Sequence, residues 1–131
     1  MEDSKLTPSC RPRVLIVDDE ALVASYFNDL LLSRGCKTTV FNDSRAALDN
    51  FKSCVNNYDL VLSDITMPFM SGDQLAAEIL NIQPDIYIVL CSGHTPSLNV
   101  QKLFDMGVKA FLQKPIDSSR LLNIVEELRV C

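Results

Sequence analysis

Three acidic residues in a row, Asp18-Asp19-Glu20, follow the apolar run Val14-Leu15-Ile16-Val17, and a further aspartate, Asp64, comes at the end of Leu60-Val61-Leu62-Ser63. Taken alone, Asp18-Asp19-Glu20 reads as helix capping and compensation of a helix dipole. Asp64 changes that reading once the two runs lie side by side. Carboxylates gathered at one edge raise one another's pKa unless a hard divalent cation neutralises them through oxygen ligands. Magnesium does so with one or two carboxylates plus substrate phosphate, so the pattern points to phosphate chemistry rather than to structural metal binding. Ser92 ends another apolar run and offers a hydroxyl donor, while Lys114 offers a cation; together they could hold the oxygens of a phosphoryl group on Asp64. A serine after a strand is usually a turn residue, and a lysine beside proline is usually solvated surface. Coordinated placement of all five carries the inference.

That placement depends on the elements between these residues, and the chain alternates regularly. Val14 to Val17 is a short continuous apolar run of the kind buried on both faces of a parallel sheet. Leu22, Val23, Tyr26, Phe27, Leu30 and Leu31 recur at helical spacing and are expected on one inward stripe, with Gly35 placed for a left-handed C-terminal cap. Thr38 to Phe41 reads as a second strand, followed by Asn42-Asp43-Ser44 as caps of a helix holding Ala47, Leu48 and Phe51. Leu60 to Leu62 is the third strand; an irregular loop from Asp64 to Gly72 leads to a helix opened by a Ser71/Gln74 capping box and carrying Leu75, Ala76, Ile79 and Leu80. Tyr87 to Cys91 is the fourth strand, and Thr95-Pro96 is expected to open a helix with Leu103 and Phe104 that stops at Gly107. Ala110 to Leu112 is a brief fifth strand, and Asp117 or Ser118 caps a last helix whose Leu121, Leu122, Val125 and Leu128 face inward.

Five strands alternating with five helices require a parallel sheet covered on both faces, because each right-handed crossover needs a bridging helix. The expected fold is α/β, a flavodoxin-like doubly wound (βα)5 domain with strand order 2-1-3-4-5. Ligands then collect beyond the carboxyl ends of the first and third strands. The domain is expected over 13–128, with 1–12 a flexible N-terminal segment and 129–131 a tail.

Composition narrows the function classes. At 131 residues the chain has the length of one domain, and 47% hydrophobic with 22% charged residues is ordinary globular usage. A net charge of -5 argues against direct nucleic-acid binding, which needs a basic face. No apolar run approaches the roughly 18 residues of a membrane span, and the acidic opening Met1-Glu2-Asp3 is unlike a secretory signal. Five cysteines, an odd number without a C-x-x-C pair, suit reduced thiols in a cytoplasm, with Cys91 in the core.

These residues resemble the receiver domain of two-component response regulators over nearly the whole chain. Asp18-Asp19 looks like the family's metal-binding acids, and Asp64 in Leu62-Ser63-Asp64-Ile65-Thr66-Met67-Pro68 like its phosphoacceptor. Ser92 in Leu90-Cys91-Ser92-Gly93 takes the place of the family's Ser or Thr, and Lys114-Pro115 that of its Lys-Pro. The resemblance implies that Asp19, Asp64 and the backbone carbonyl of Thr66 bind Mg2+ directly, with Asp18 acting through water. It makes Ser92 and Phe111 the switch pair, and it places Thr66 and His94 where they modulate dephosphorylation. It further implies a histidine kinase or histidine phosphotransfer protein as phosphodonor, an output surface on the fourth helix, fifth strand and fifth helix, and compatibility with a phosphorylation-dependent dimer. Such a domain catalyses its own aspartate phosphorylation and slow dephosphorylation and turns over no separate substrate. The nucleophile is expected to be an ordinary carboxylate with pKa near 4 that needs no general base.

Three rivals share parts of the pattern. An aspartate-nucleophile, magnesium-dependent phosphatase of the haloacid-dehalogenase type needs a second acid two residues on, where this chain has Thr66. A flavodoxin cradles phosphate in a hydroxyl-rich loop, where this chain has acids that would repel it. A degenerate receiver that only docks partners remains the alternative, opposed by the intact set Asp18, Asp19, Asp64, Ser92 and Lys114. The Thr66-Met67-Pro68 loop, Leu75-Ala76 and Pro84-Asp85-Ile86 also resemble receivers attached to hybrid sensor kinases. Nothing after Leu128 is expected to bind DNA or catalyse a reaction, which puts the output in another polypeptide or a missing segment.

Overall fold

The structure is a computed structural model, described here for residues 11–93 and 99–128. Strands β1 (Arg13–Val17), β2 (Lys37–Phe41), β3 (Leu60–Asp64), β4 (Tyr87–Ser92) and β5 (Ala110–Gln113) alternate with helices α1 (Ala21–Ser33), α2 (Ser44–Ser53), α3 (Gly72–Ile82), α4 (Val100–Met106) and α5 (Ser118–Glu127). All four strand pairings are parallel and the order is β2-β1-β3-β4-β5, the doubly wound topology expected from the alternation.

Alternation along the central strands divides the core in two, because successive side chains of a strand point to opposite faces. Leu15, Val17 and Val61 face Ala47, Leu48 and Phe51 of α2, Leu75 and Ile79 of α3, and Leu103 of α4. Val14, Ile16, Leu60 and Leu62 face Ala24, Phe27 and Leu31 of α1 and Leu121, Ile124 and Val125 of α5. Both faces of β1 and β3 are thereby covered, which is why their apolar runs are continuous rather than alternating.

The helix ends follow the local chemistry in the sequence. Asp43 and Asp117 each accept a backbone N–H from two residues on, and the Ser71/Gln74 capping box opens α3. Gly35 and Gly107 adopt positive φ just beyond α1 and α4. Asn99 caps α4, its side chain accepting from the Lys102 amide; the Thr95-Pro96 opening and His94 lie outside the described residues. Of the segment 1–12, Pro12 is buried and its carbonyl accepts the Lys37 amide.

One expectation fails in α1. Leu22 is 87% and Tyr26 50% exposed, while the buried positions are Ala24, Phe27 and Leu31. The six apolar residues expected on one stripe span roughly half a turn of the helix, wider than the sheet can cover. Packing selects the side that includes Ala24, whose small side chain lets the helix approach the sheet, and turns Leu22 and Tyr26 outward. On α5, Ile124 joins the buried set and Leu122 is half-buried.

Candidate functional site

Parallel pairing brings the carboxyl ends of the strands to one edge. Val17 lies beside Ser63, Asp64 beside Cys91, and Ser92 beside Gln113, so the residues following β1 and β5 flank the tip of β3. Asp18 continues β1 and is tied there by three hydrogen bonds: its amide donates to the Phe41 carbonyl at 3.1 Å, its own carbonyl accepts from Asn42 Nδ2 at 2.8 Å, and its Oδ1 accepts the Glu20 amide at 2.9 Å. Lys114 is anchored beside the end of β4, its amide donating to the Ser92 carbonyl at 2.7 Å.

Lys114 Nζ stands 3.1 Å from Asp64 Oδ1, 3.6 Å from Asp18 Oδ2 and 3.8 Å from Glu20 Oε1. Asp18, Asp64 and Ser92 are buried; Asp19 and Glu20 are exposed at the rim. Asp19, Glu20, Asp64, Thr66, Gly93 and Lys114 line a cavity of about 370 Å³ that opens to solvent. Phe111 is half-buried, next to Leu90 in the sheet register and packed against the core cluster on the α2, α3 and α4 face. The structure thus gathers Asp19, Asp64, Thr66 and Lys114 around one cavity, with Asp18 buried beside Lys114 and Ser92 at the neighbouring strand end.

The loop from Ile65 to Ser71 must turn back sharply to let α3 start against β3. Gly72 makes this possible: its amide donates to the Ile65 carbonyl at 2.8 Å, and a Cβ there would sit 2.1 Å from the Asp64 carbonyl oxygen. Within the loop the Met70 amide donates to the Pro68 carbonyl at 2.7 Å, a γ-turn with Phe69 at its centre at φ 69°. Buried Ser44 fixes the far side by donating from Oγ to the Met70 carbonyl at 2.8 Å.

Electrostatics bears out the repulsion inferred from the sequence and corrects one point. Burial raises the Asp64 carboxyl above its ordinary value, more than the hydrogen bond and charge of Lys114 lower it, and Asp18 and Asp19 raise it further. The expectation of an ordinary carboxylate at position 64 is therefore corrected to one whose pKa lies above the usual carboxylate value. Burial raises Asp18 as well, against the opposing pull of the Glu20 amide and Lys114. Burial alone would lower Lys114; its hydrogen bond to Asp64 and the surrounding carboxylates outweigh that and hold it above its ordinary value. Burial also pushes the neighbouring Cys91 thiol up to about 12, which fits its core assignment and leaves it unreactive.

Whether the site fits a cation is decided by the donors present. Asp18, Asp19 and Asp64 each offer a carboxylate oxygen, and these lie within 4.8 Å of one another. Asp18 Oδ2 is buried without a hydrogen-bond partner and shares Lys114 with Asp64, so one cation faces two buried carboxylates. An all-oxygen anionic set open to water suits magnesium, which keeps several water ligands.

Sequence reasoning missed three contributors. Asn42, expected from the sequence among the caps of α2, instead holds the Asp18 backbone while Asp43 caps the helix, and Gly72 is required by contact with Asp64. Glu20 reaches Lys114 although it occupies the N-cap position of α1, where its side chain makes no capping hydrogen bond.

A (βα)5 domain whose strand tips surround an aspartate with acids and one lysine matches a known class of signalling module. A family model described as the response regulator receiver domain matches residues 14–126. The chain belongs to that family, the receiver domains of two-component signalling. The chemotaxis protein CheY of Thermotoga maritima is 32% identical over 117 residues, covering 88% of this chain and 96% of that protein. Hybrid signal transduction histidine kinase I of Dictyostelium discoideum is 28% identical over 120 residues, 86% of this chain but 7% of the kinase. A crystal structure of a response regulator receiver domain protein from Clostridium thermocellum superposes with a TM-score of 0.85 at 25% identity, covering 90% of this chain and 94% of that one. Among the described residues, no helix is long and apolar enough to cross a membrane.

Proposed function

We propose that the domain takes a phosphoryl group from a phosphohistidine on a histidine kinase or histidine phosphotransfer protein onto Asp64, and that the modification switches the α4, β5 and α5 surface. The observation that carries this reading is the single cation, Lys114, shared between Asp64 at 3.1 Å and Asp18 at 3.6 Å at the mouth of an acid-lined cavity.

Asp18, Asp19, Asp64 and the Thr66 carbonyl are the groups that would hold Mg2+. When bound, the ion supplies positive charge that keeps the carboxylates ionised and offsets charge on the phosphoryl oxygens. Asp64 provides the nucleophilic oxygen. Its backbone is fixed by strand pairing and by the close approach of Gly72, so attack is governed by positioning rather than by a base. Lys114 exchanges its bond with Asp64 for one with a phosphoryl oxygen as negative charge develops there.

Ser92, buried at the end of the neighbouring strand, would bond the new phosphoryl group. Moving its side chain would free space for the Phe111 ring, a two-state bias set by the differential hydrogen bond. Thr66 at the rim, and His94 beyond the described residues, would govern how water reaches the acyl phosphate. The free thiols Cys54 and Cys91 accord with a cytoplasmic setting. The span of only 7% of the hybrid kinase fits a receiver that works as one module of a longer protein, and the near-complete span of CheY fits one that works alone; the output is assigned to a partner polypeptide or an attached domain.

The test is intact mass spectrometry after incubation with phosphoramidate and magnesium. A gain of one phosphoryl group in the wild type, absent in Asp64→Asn and after chelation, is expected. No gain under any condition would instead support the phosphorylation-independent docking module.

A further inference from the structure

Glu20 is a carboxylate that neither the fold nor the metal set uses. It stands at the N-cap of α1, a position where a side chain normally accepts a backbone amide, yet makes no such bond. The Glu20 amide is already satisfied by Asp18 Oδ1 at 2.9 Å. The side chain is 66% exposed and its Oε1 lies 3.8 Å from Lys114 Nζ, on the solvent side of the cavity that it lines with Asp19, Asp64 and Thr66. Lys114 is the one cationic residue lining that cavity among the described residues, and it is already shared with two buried acids.

We infer that Glu20 is a specificity-determining residue that selects phosphodonors by charge. This rests on the phosphoacceptor reading above and deepens it. A donor must bring its phosphoryl group past the rim to Asp64, and Glu20 adds one negative charge there while drawing on the only lining cation. A dianionic carboxylic-phosphoric anhydride such as acetyl phosphate is repelled more strongly than a phosphoramidate, which carries a proton on its nitrogen and a smaller net negative charge at neutral pH. A phosphohistidine belongs to the second class.

The transfer balances in both cases. Asp64 forms an O–P bond. With acetyl phosphate the P–O bond to the acyl group breaks and acetate leaves with the electron pair; with phosphoramidate the P–N bond breaks and ammonia leaves, keeping its protons.

The experiment measures apparent second-order rate constants for acetyl phosphate and phosphoramidate with magnesium, in wild type, Glu20→Gln and Glu20→Asp. In Glu20→Gln the acetyl phosphate to phosphoramidate ratio is expected to rise about two- to fivefold, the effect of one unit charge several ångströms away in a water-rich mouth. That gain should shrink as salt rises, since screening acts on an exposed charge. Glu20→Asp keeps the charge and should keep the wild-type ratio, an outcome that loss of packing alone would not give. An unchanged ratio in Glu20→Gln, or an equal rise in Glu20→Asp, overturns the inference while leaving Asp64 as phosphoacceptor intact. A wild type inert to both donors overturns the phosphoacceptor reading and this inference with it.

Discussion

Lys114 Nζ lies 3.1 Å from Asp64 Oδ1, so the proposed nucleophile and its counter-charge come from the end of β3 and from the residue that follows β5, strands separated in the sheet by β4. The contact spans 50 residues of sequence, and the parallel register is what makes it, because Lys114 is held at the end of β4 through the Ser92 carbonyl. One cation thereby serves two buried carboxylates.

Lys114→Ala should remain folded and lose roughly a hundredfold in the rate of phosphoryl uptake, as when one preorganised charge donor is deleted from an oxyanion site. Stopped-flow kinetics with phosphoramidate checks this. A rate within twofold of wild type would remove Lys114 from the mechanism.

Magnesium held by the carboxylate set, as proposed, should stabilise the fold, because native packing assembles that set and unfolding disperses it. At a hundredfold excess over the dissociation constant the gain is about 2.7 kcal/mol, seen as a rise in Tm that chelation reverses. Asp18→Asn removes the charge of Oδ2, which has no hydrogen-bond partner and shares Lys114, 3.6 Å away, with Asp64. Its metal-free form should melt no lower than wild type, and its magnesium-dependent rise should be lost.

Gly72→Ala forces a Cβ to within 2.1 Å of the Asp64 carbonyl. The backbone of β3 or α3 must shift, at a cost of about 2 to 4 kcal/mol in urea denaturation. Because the displaced atom belongs to the proposed phosphoacceptor, phosphoryl uptake should fall along with stability.

Away from the site, Asp59 receives the Arg13 amide at 2.8 Å and its guanidinium at 3.0 Å and 3.1 Å. Burial disfavours the charged form of Asp59, but the hydrogen bonds and charge of Arg13 prevail and hold its pKa below the ordinary value. A lowered carboxyl pKa contributes stability fully above the unfolded value of about 4 and loses it as pH falls through the folded value. Asp59→Asn should therefore cost about 1 kcal/mol at neutral pH, and the gap to wild type should close in acid. Denaturant melts across the acid range decide it.

The fold was legible because each local signal agreed with the others. The four-residue run at Val14 to Val17 names a strand covered on both faces, and Gly35 and Gly107 fall where left-handed caps occur. Where the sequence misled, as at Leu22 and Tyr26, periodicity showed an apolar arc but could not say which part of it the sheet would bury. At the site, Asp18, Asp19, Asp64 and Lys114 were legible from residue type at strand ends. The raised pKa values of Asp18 and Asp64 were not, since burial is their largest cause and is a property of the packed tips. Gly72 and Asn42 were invisible for a similar reason: one matters through a contact its missing Cβ permits, the other through a hydrogen bond to backbone 24 residues away.

The most direct measurement is the chemical location of the phosphoryl group. Protein treated with phosphoramidate and magnesium is reduced with borohydride, which converts an aspartyl phosphate to homoserine, and is then digested and sequenced by mass spectrometry. Homoserine at position 64, magnesium-dependent and at that aspartate alone, is the expected result. Phosphate recovered at another residue, or homoserine at Asp18 or Asp19 in place of Asp64, would contradict the account.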